Sequence, residues 1–97
     1  MRNVVVTTNK DRRGVFGGQL VKSDGDCVTL KNARMAVYWS TDVHGVLGLA
    51  ANGPSASCKI TPCVPKIELN GVTSIMDMTD AAKEAWDKEP WARRNDA

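Results

Sequence analysis

Val15-Phe16-Gly17-Gly18-Gln19-Leu20-Val21-Lys22-Ser23-Asp24-Gly25-Asp26-Cys27-Val28-Thr29-Leu30-Lys31 is the stretch that decides the fold class. Two β-forming runs flank a polar turn, and Asp-Gly readily takes the positive φ angles of primed hairpin turns. After the turn, Val28 and Leu30 share one face while Cys27, Thr29 and Lys31 take the other, the period of two of a half-buried strand. Before it, Gly17 and Gly18 interrupt residues 15–22. Glycine inside a strand marks a sharp bend or a close backbone approach, so the pair predicts a strand that curls around a small barrel.

The neighbouring sequence extends this pattern. Upstream, Val4-Val5-Val6-Thr7-Thr8 is a β-branched strand ending at the polar turn Asn9-Lys10-Asp11-Arg12-Arg13-Gly14. Downstream, Asn32-Ala33-Arg34 separates the hairpin from another strand over 35–40. Ser40 or Thr41 can then cap a helical segment, with Val43, Leu47 and Ala50 at helical spacing and Asn52-Gly53-Pro54 as its stop. Pro62 and Pro65 exclude a central strand nearby, leaving room for a brief one at 58–61. Residues 66–69 and 72–76 flank Asn70-Gly71, a strong hairpin signal. A last helix spans 79–88, capped by Thr79 or Asp80, with Ala82, Ala85 and Trp86 on its apolar stripe and a Glu84–Lys88 pair on its surface. Pro90 ends the order, and residues 92–97 read as a frayed tail.

Ninety-seven residues make one domain, placed at 1–91, able to bury roughly 65% of its unfolded surface. A hydrophobic fraction of 42% with 25% charged residues excludes a disordered chain. No apolar run approaches the ~18 residues of a membrane span, and the N-terminus lacks the apolar core of a secretory signal. Three cysteines are an odd number, so reduced thiols in the cytoplasm are expected and disulfides carry no part of the fold. The net charge of +2 is too small for a strong nucleic-acid field. It is unevenly spread: residues 1–76 hold nine Lys/Arg and five Asp/Glu, residues 77–97 four and six. A mildly basic body permits an anionic ligand.

Several stretches carry a resemblance. Gly14-Val15-Phe16-Gly17-Gly18-Gln19-Leu20, then Val28-Thr29-Leu30-Lys31-Asn32-Ala33-Arg34-Met35-Ala36-Val37-Tyr38-Trp39-Ser40-Thr41, Leu47-Gly48-Leu49-Ala50-Ala51-Asn52-Gly53-Pro54 and Val72-Thr73-Ser74-Ile75 resemble a group of small phage and prophage proteins. The resemblance implies a viral origin and brings no activity with it. Gly18-Gln19-Leu20, the Gly25-Asp26 turn and Leu30-Lys31-Asn32-Ala33 also look like the first motif of the Sm-like proteins, and Leu69-Asn70-Gly71-Val72-Thr73-Ser74-Ile75 like their second. The chain departs from that pattern in lacking an N-terminal helix and the basic residue before Gly71. The fold expected is mainly β: a strongly bent five- to six-stranded Sm-like or SH3-like barrel with an inserted helical segment and a C-terminal helix.

Chemistry-bearing residues are few. Cys58-x4-Cys63 with Cys27 and His44 lacks a second histidine, and Pro62 does not supply the usual tight turn, so inert thiols are expected and no metal or cofactor. Asp24 and Asp26 sit in a turn where solvated aspartate is routine. No phosphate-cradling glycine loop is present. The chain is therefore not read as an enzyme.

Arg34, Tyr38 and Trp39 form the candidate ligand site, because an aromatic face can stack a base while a guanidinium meets phosphate. Ser40, Thr41 and His44 join them, with Arg12 and Arg13 as further phosphate-positioning candidates. Tyr38 and Trp39 point to opposite faces of a strand, so one of them belongs to core or interface. Trp86 is a packing position and, with Trp91, an interface candidate. The function expected is a homo-oligomeric phage binding protein for a nucleotide or nucleic acid, one form being capture of a nucleotide signal of host defence in the cytoplasm of an infected bacterium. The alternative is an inhibitor or assembly factor that binds a host or phage protein.

Overall fold

The computed structural model describes residues 2–9 and 14–88. Arg12, Arg13, Trp91 and the tail at 92–97 lie outside the described residues. The chain is mainly β, and the described residues form six antiparallel strands and two α-helices: β1 Asn3–Thr8, β2 Gly14–Asp24, β3 Cys27–Tyr38, α1 Gly45–Ala51, β4 Lys59–Ile60, β5 Val64–Leu69, β6 Val72–Asp77 and α2 Asp80–Lys88. A 3₁₀ turn at Thr41–Val43 leads into α1. The sheet runs β4-β3-β2-β1-β6, and β5 pairs with β3 on the edge that β4 shares.

Bends in the long strands come from identifiable residues. β3 is one strand where two were expected, because Asn32 takes φ 50° and lets it run on through a bulge opposite Gly18. A second register shift, at Val21, bends β2. Gly17 and Gly18 lie where the backbone is crowded on both sides. A Cβ at Gly17 would stand 2.9 Å from the Trp86 ring, and one at Gly18 3.1 Å from the Lys31 carbonyl oxygen.

The Asn70-Gly71 turn does not make the expected hairpin. β5 pairs with β3 and β6 with β1, so the turn carries the chain from one edge of the sheet to the other. In a flat sheet those edges would lie about 19 Å apart at ~4.8 Å per strand, whereas Leu69 to Val72 can span at most ~11 Å. The sheet must therefore curl. Hydrogen bonds fasten the curl: Asn9 N–H donates to Gly71 O and Val72 N–H to Asp26 O, each at 3.0 Å. Pairing between β5 and β6 is absent among the described residues, so the sheet is curled but open.

The curl gives the sheet two apolar faces. Inside lie Val4, Val6, Val28, Leu30 and Ala33, with Phe16, Ile67 and Ile75 against them. Outside, Val5, Val15, Ala36 and Ile60 pack under α1 and α2 with Leu49, Ala82 and Trp86. β1 is buried on both faces, which is why its sequence is an unbroken valine run rather than an alternation. Pro65 sits in β5, an edge strand that tolerates its missing N–H.

The expected helical segment at 41–54 divides into the 3₁₀ turn and α1. A side chain at Gly48 would run into the Val43 carbonyl, 1.5 Å away, so only glycine lets the two meet. α2 is capped by Thr79, whose Oγ1 accepts from Ala82 N–H at 3.0 Å and donates to Ala51 O at 2.6 Å. The ion pair on α2 is Lys83–Asp87 rather than Glu84–Lys88. Both pairs have i,i+4 spacing, and the structure selects the one beside the sheet.

Candidate functional site

Arg34 is only 8% exposed, and burying a guanidinium requires partners for its N–H groups. Its Nε donates to Thr61 O at 2.8 Å, and its Nη1 donates to Trp86 O. The second acceptor has a cause in the sequence. In a helix the Trp86 carbonyl would accept from residue 90, and Pro90 has no N–H to give. Arg34 thus answers an orphan carbonyl near the C-terminal end of α2, where positive charge is also favoured by the helix dipole. Thr61 is fastened to the same strand by bonds of 3.0 Å to Met35 O and 2.9 Å from Met35 N–H.

A cleft of about 230 Å³ opens beside this anchor, between β2, β3 and α2. Gly17 and Gly18 form its floor, Trp86 and Met78 an apolar wall, and Asn3, Gln19, Asn32, Lys83 and Asp87 its polar groups. Asn32 Nδ2 donates to Gln19 Oε1 at 3.1 Å. That bond leaves the amide N–H groups of Gln19 and the side-chain oxygen Oδ1 of Asn32 for other partners, a donor next to an acceptor. Asn32 holds this place at the β3 bulge with a left-handed backbone, a conformation that asparagine tolerates better than most non-glycine residues. The Cys63 thiol, also on the cleft, donates to Asn32 O at 3.6 Å.

Trp39 and the following loop sit elsewhere. Trp39 packs on the helix-side core and lines a separate, mostly apolar groove of about 460 Å³ with Val15, Met35, Val37 and Val46. Tyr38 is exposed although it lies two residues beyond buried Ala36, because the pairing of β3 with β4 shifts register between them. Ser40, Asp42 and Ser55 form a hydrogen-bonded group at the 3₁₀ turn. The Ser40 hydroxyl holds the Asp42 carboxyl below the usual aspartate range, assisted by Ser55 and by nearby His44 and opposed by partial desolvation. Thr41 O accepts from His44 N–H at 3.1 Å, and His44 closes the turn with φ 67°.

The structure therefore does not gather the expected set around one ligand. Arg34 belongs to the α2 cleft, Trp39 to the apolar groove, and Ser40, Thr41 and His44 to a surface turn. Trp86 is 2% exposed, with Nε1 donating to Leu49 O at 3.0 Å. It packs in the chain's own core. Cys58 is buried, Cys27 and Cys63 are exposed, and none forms a disulfide. Among the described residues no three His, Cys, Asp or Glu side chains gather as metal ligands, and no helix is long and apolar enough to cross a membrane.

The chain belongs to a family described as a domain of unknown function, DUF6948, which matches residues 1–86. No curated protein and no solved structure matches it.

Proposed function

We propose that this DUF6948 chain is a non-enzymatic binding protein whose ligand is a nucleotide, held in the cleft between β2, β3 and α2. The observation that carries the reading is the Gln19–Asn32 pair, which offers a donor beside an acceptor on the wall of the cleft. Such a pair complements the edge of a nucleobase, as Asn and Gln amides do when they read bases bidentately. Lys83, in ion pair with Asp87 on the same cleft, and the anchored Arg34 are the cationic groups a phosphate would meet there. At about 230 Å³ the cleft is too small for a duplex, and a net charge of +2 argues the same way.

In this reading the curled sheet is a small Sm-like or SH3-like barrel and the chain acts as a homo-oligomer. Its resemblance to phage proteins supports a phage-encoded role, capturing a nucleotide signal of host defence in the cytoplasm of an infected bacterium. A protein-binding inhibitor or assembly factor is the competing reading, favoured by the apolar groove at Trp39.

Native mass spectrometry of gently purified protein, with thermal shifts against mononucleotides, tests the proposal. The expected result is extra mass released on denaturation as nucleotide, and a raised Tm with at least one mononucleotide. Gln19→Ala should lose both effects while keeping the unliganded Tm. Apo protein that no mononucleotide stabilises overturns the proposal. A host protein retained in place of nucleotide favours the competing reading.

A further inference from the structure

We propose that the nucleotide held in the cleft carries more than one phosphate, and that Lys31 and Lys66 meet the phosphates beyond the first. The inference rests on the nucleotide reading and deepens it by naming the ligand class, a nucleoside di- or triphosphate. Strand register carries it. Asn3 pairs with Gln19, Gln19 with Lys31 and Lys31 with Lys66, so one row crosses β1, β2, β3 and β5. Their chain neighbours Val4, Leu20, Leu30 and Ile67 pack inside the curl, which puts the row itself on the outer face. Asn3 and Gln19 line the cleft, and Lys31 and Lys66, both exposed, continue the row from its edge.

Two observations point to an anion over that end of the row. Lys31 and Lys66 are direct cross-strand partners, and like charges directly opposite destabilise a sheet. Glu68, the one acid on β5, stands opposite Thr29 in the next row, and among the described residues neither lysine is in an ion pair. A phosphate chain between the two ammonium groups turns their repulsion into attraction. The second observation is the state of the cations in the cleft. Arg34 donates to Thr61 O and Trp86 O, and Lys83 is paired with Asp87, so the positive charge inside is already engaged by the protein. Phosphates beyond the first leave the cleft and need cations outside it. At ~4.8 Å per strand, Lys66 stands about 10 Å from Gln19, a span that calls for a phosphate chain rather than one phosphate. Lysine suits the task, because an ammonium on a flexible stem follows a phosphate that a rigid fork would not.

Isothermal titration calorimetry in metal-free buffer tests the proposal, with the mono-, di- and triphosphates of adenosine, guanosine, cytidine and uridine. For a base that binds, the triphosphate should bind at least about tenfold tighter than the monophosphate. Lys31→Gln and Lys66→Gln should each cut that ratio at least about threefold, and together bring it close to one. Lys22→Gln removes the same charge from the next row, opposite Thr29, and should leave the ratio unchanged. Lys66→Glu replaces facing like charges with an opposite pair, and should abolish the preference while raising the unliganded Tm. A ratio near one in the unsubstituted chain overturns the inference and leaves the nucleotide reading standing, whereas a chain that binds none of these nucleotides loses both. A ratio that Lys22→Gln lowers as much as Lys31→Gln also overturns it, since the attraction then belongs to the whole face rather than to this row.

Discussion

Arg34→Met separates two roles that one arginine can have. If Arg34 chiefly meets a ligand, its loss should leave the unliganded protein as stable as before. The geometry says otherwise, since the guanidinium ties the Thr61 carbonyl to the Trp86 carbonyl and so joins the 61–63 loop to α2. Each hydrogen bond to a charged group contributes about 1.5–3 kcal/mol, and their removal strands two carbonyls with no replacement donor on methionine. The expected loss is about 3–5 kcal/mol, from a total of about 5–15 for a domain of this size. At about 4–8 °C per kcal/mol, Tm should fall by at least about 12 °C. Arg34→Lys keeps the charge but cannot reach both carbonyls with a rigid fork, so about half the loss should return. Urea unfolding followed by circular dichroism, without nucleotide, measures both variants. A methionine variant within about 1 kcal/mol of the unsubstituted chain would refute the anchoring argument.

Other outcomes follow from the same packing. Gly17→Ala places a Cβ 2.9 Å from both the buried Trp86 ring and the flexible Met78 end; the ring is the part that cannot yield, so unfolding midpoints should report a loss of about 1–3 kcal/mol. Thr79→Ala removes the α2 cap and the bond to Ala51 O, for a loss of about 1–2 kcal/mol by the same assay; Thr79→Ser should restore most of it, and failure to do so would count against capping. The Asp42 carboxyl, monitored by NMR, should titrate below the usual aspartate range, and Ser40→Ala should raise its midpoint. Because the folded-state value is lowered, its stabilising contribution is present above the ordinary aspartate value and is lost as pH falls through the lowered one. An unmoved midpoint in Ser40→Ala would remove Ser40 as the cause.

Much of the fold was legible because short-range rules govern it. The valine run of β1, the Asp24-Gly25 hairpin and the Thr79 cap of α2 each carry their own chemistry in a few adjacent residues. Asn32-Ala33-Arg34 read as a break because asparagine favours turns, yet β2 holds the segment in register and turns the break into a bulge. Asn70-Gly71 shows the converse. The turn forms, with Gly71 at φ 71°, but turn chemistry does not choose partners. β5 finds its partner in β3 and β6 in β1, and so the flanking strands separate.

The site was less legible because its parts meet only through the curl. Arg34, Tyr38 and Trp39 are close in sequence, which made one constellation of them plausible, but the register shift between Ala36 and Tyr38 and the end of β3 send them to different surroundings. The residues that do meet at the cleft, Asn3, Gln19, Asn32 and Lys83, come from four separate elements, and no local spacing joins them. One signal was present all along. Pro90 withholds the N–H that the Trp86 carbonyl would otherwise receive, so a helix ending there needs a donor from outside itself. A buried arginine elsewhere in the chain is the natural supplier, and Arg34 is the one arginine among the buried residues described. The same bond that completes the helix also sets a cationic anchor against the cleft wall. Stability and the proposed binding site therefore share a residue, and Arg34→Lys should test whether the fork or the charge matters more to each.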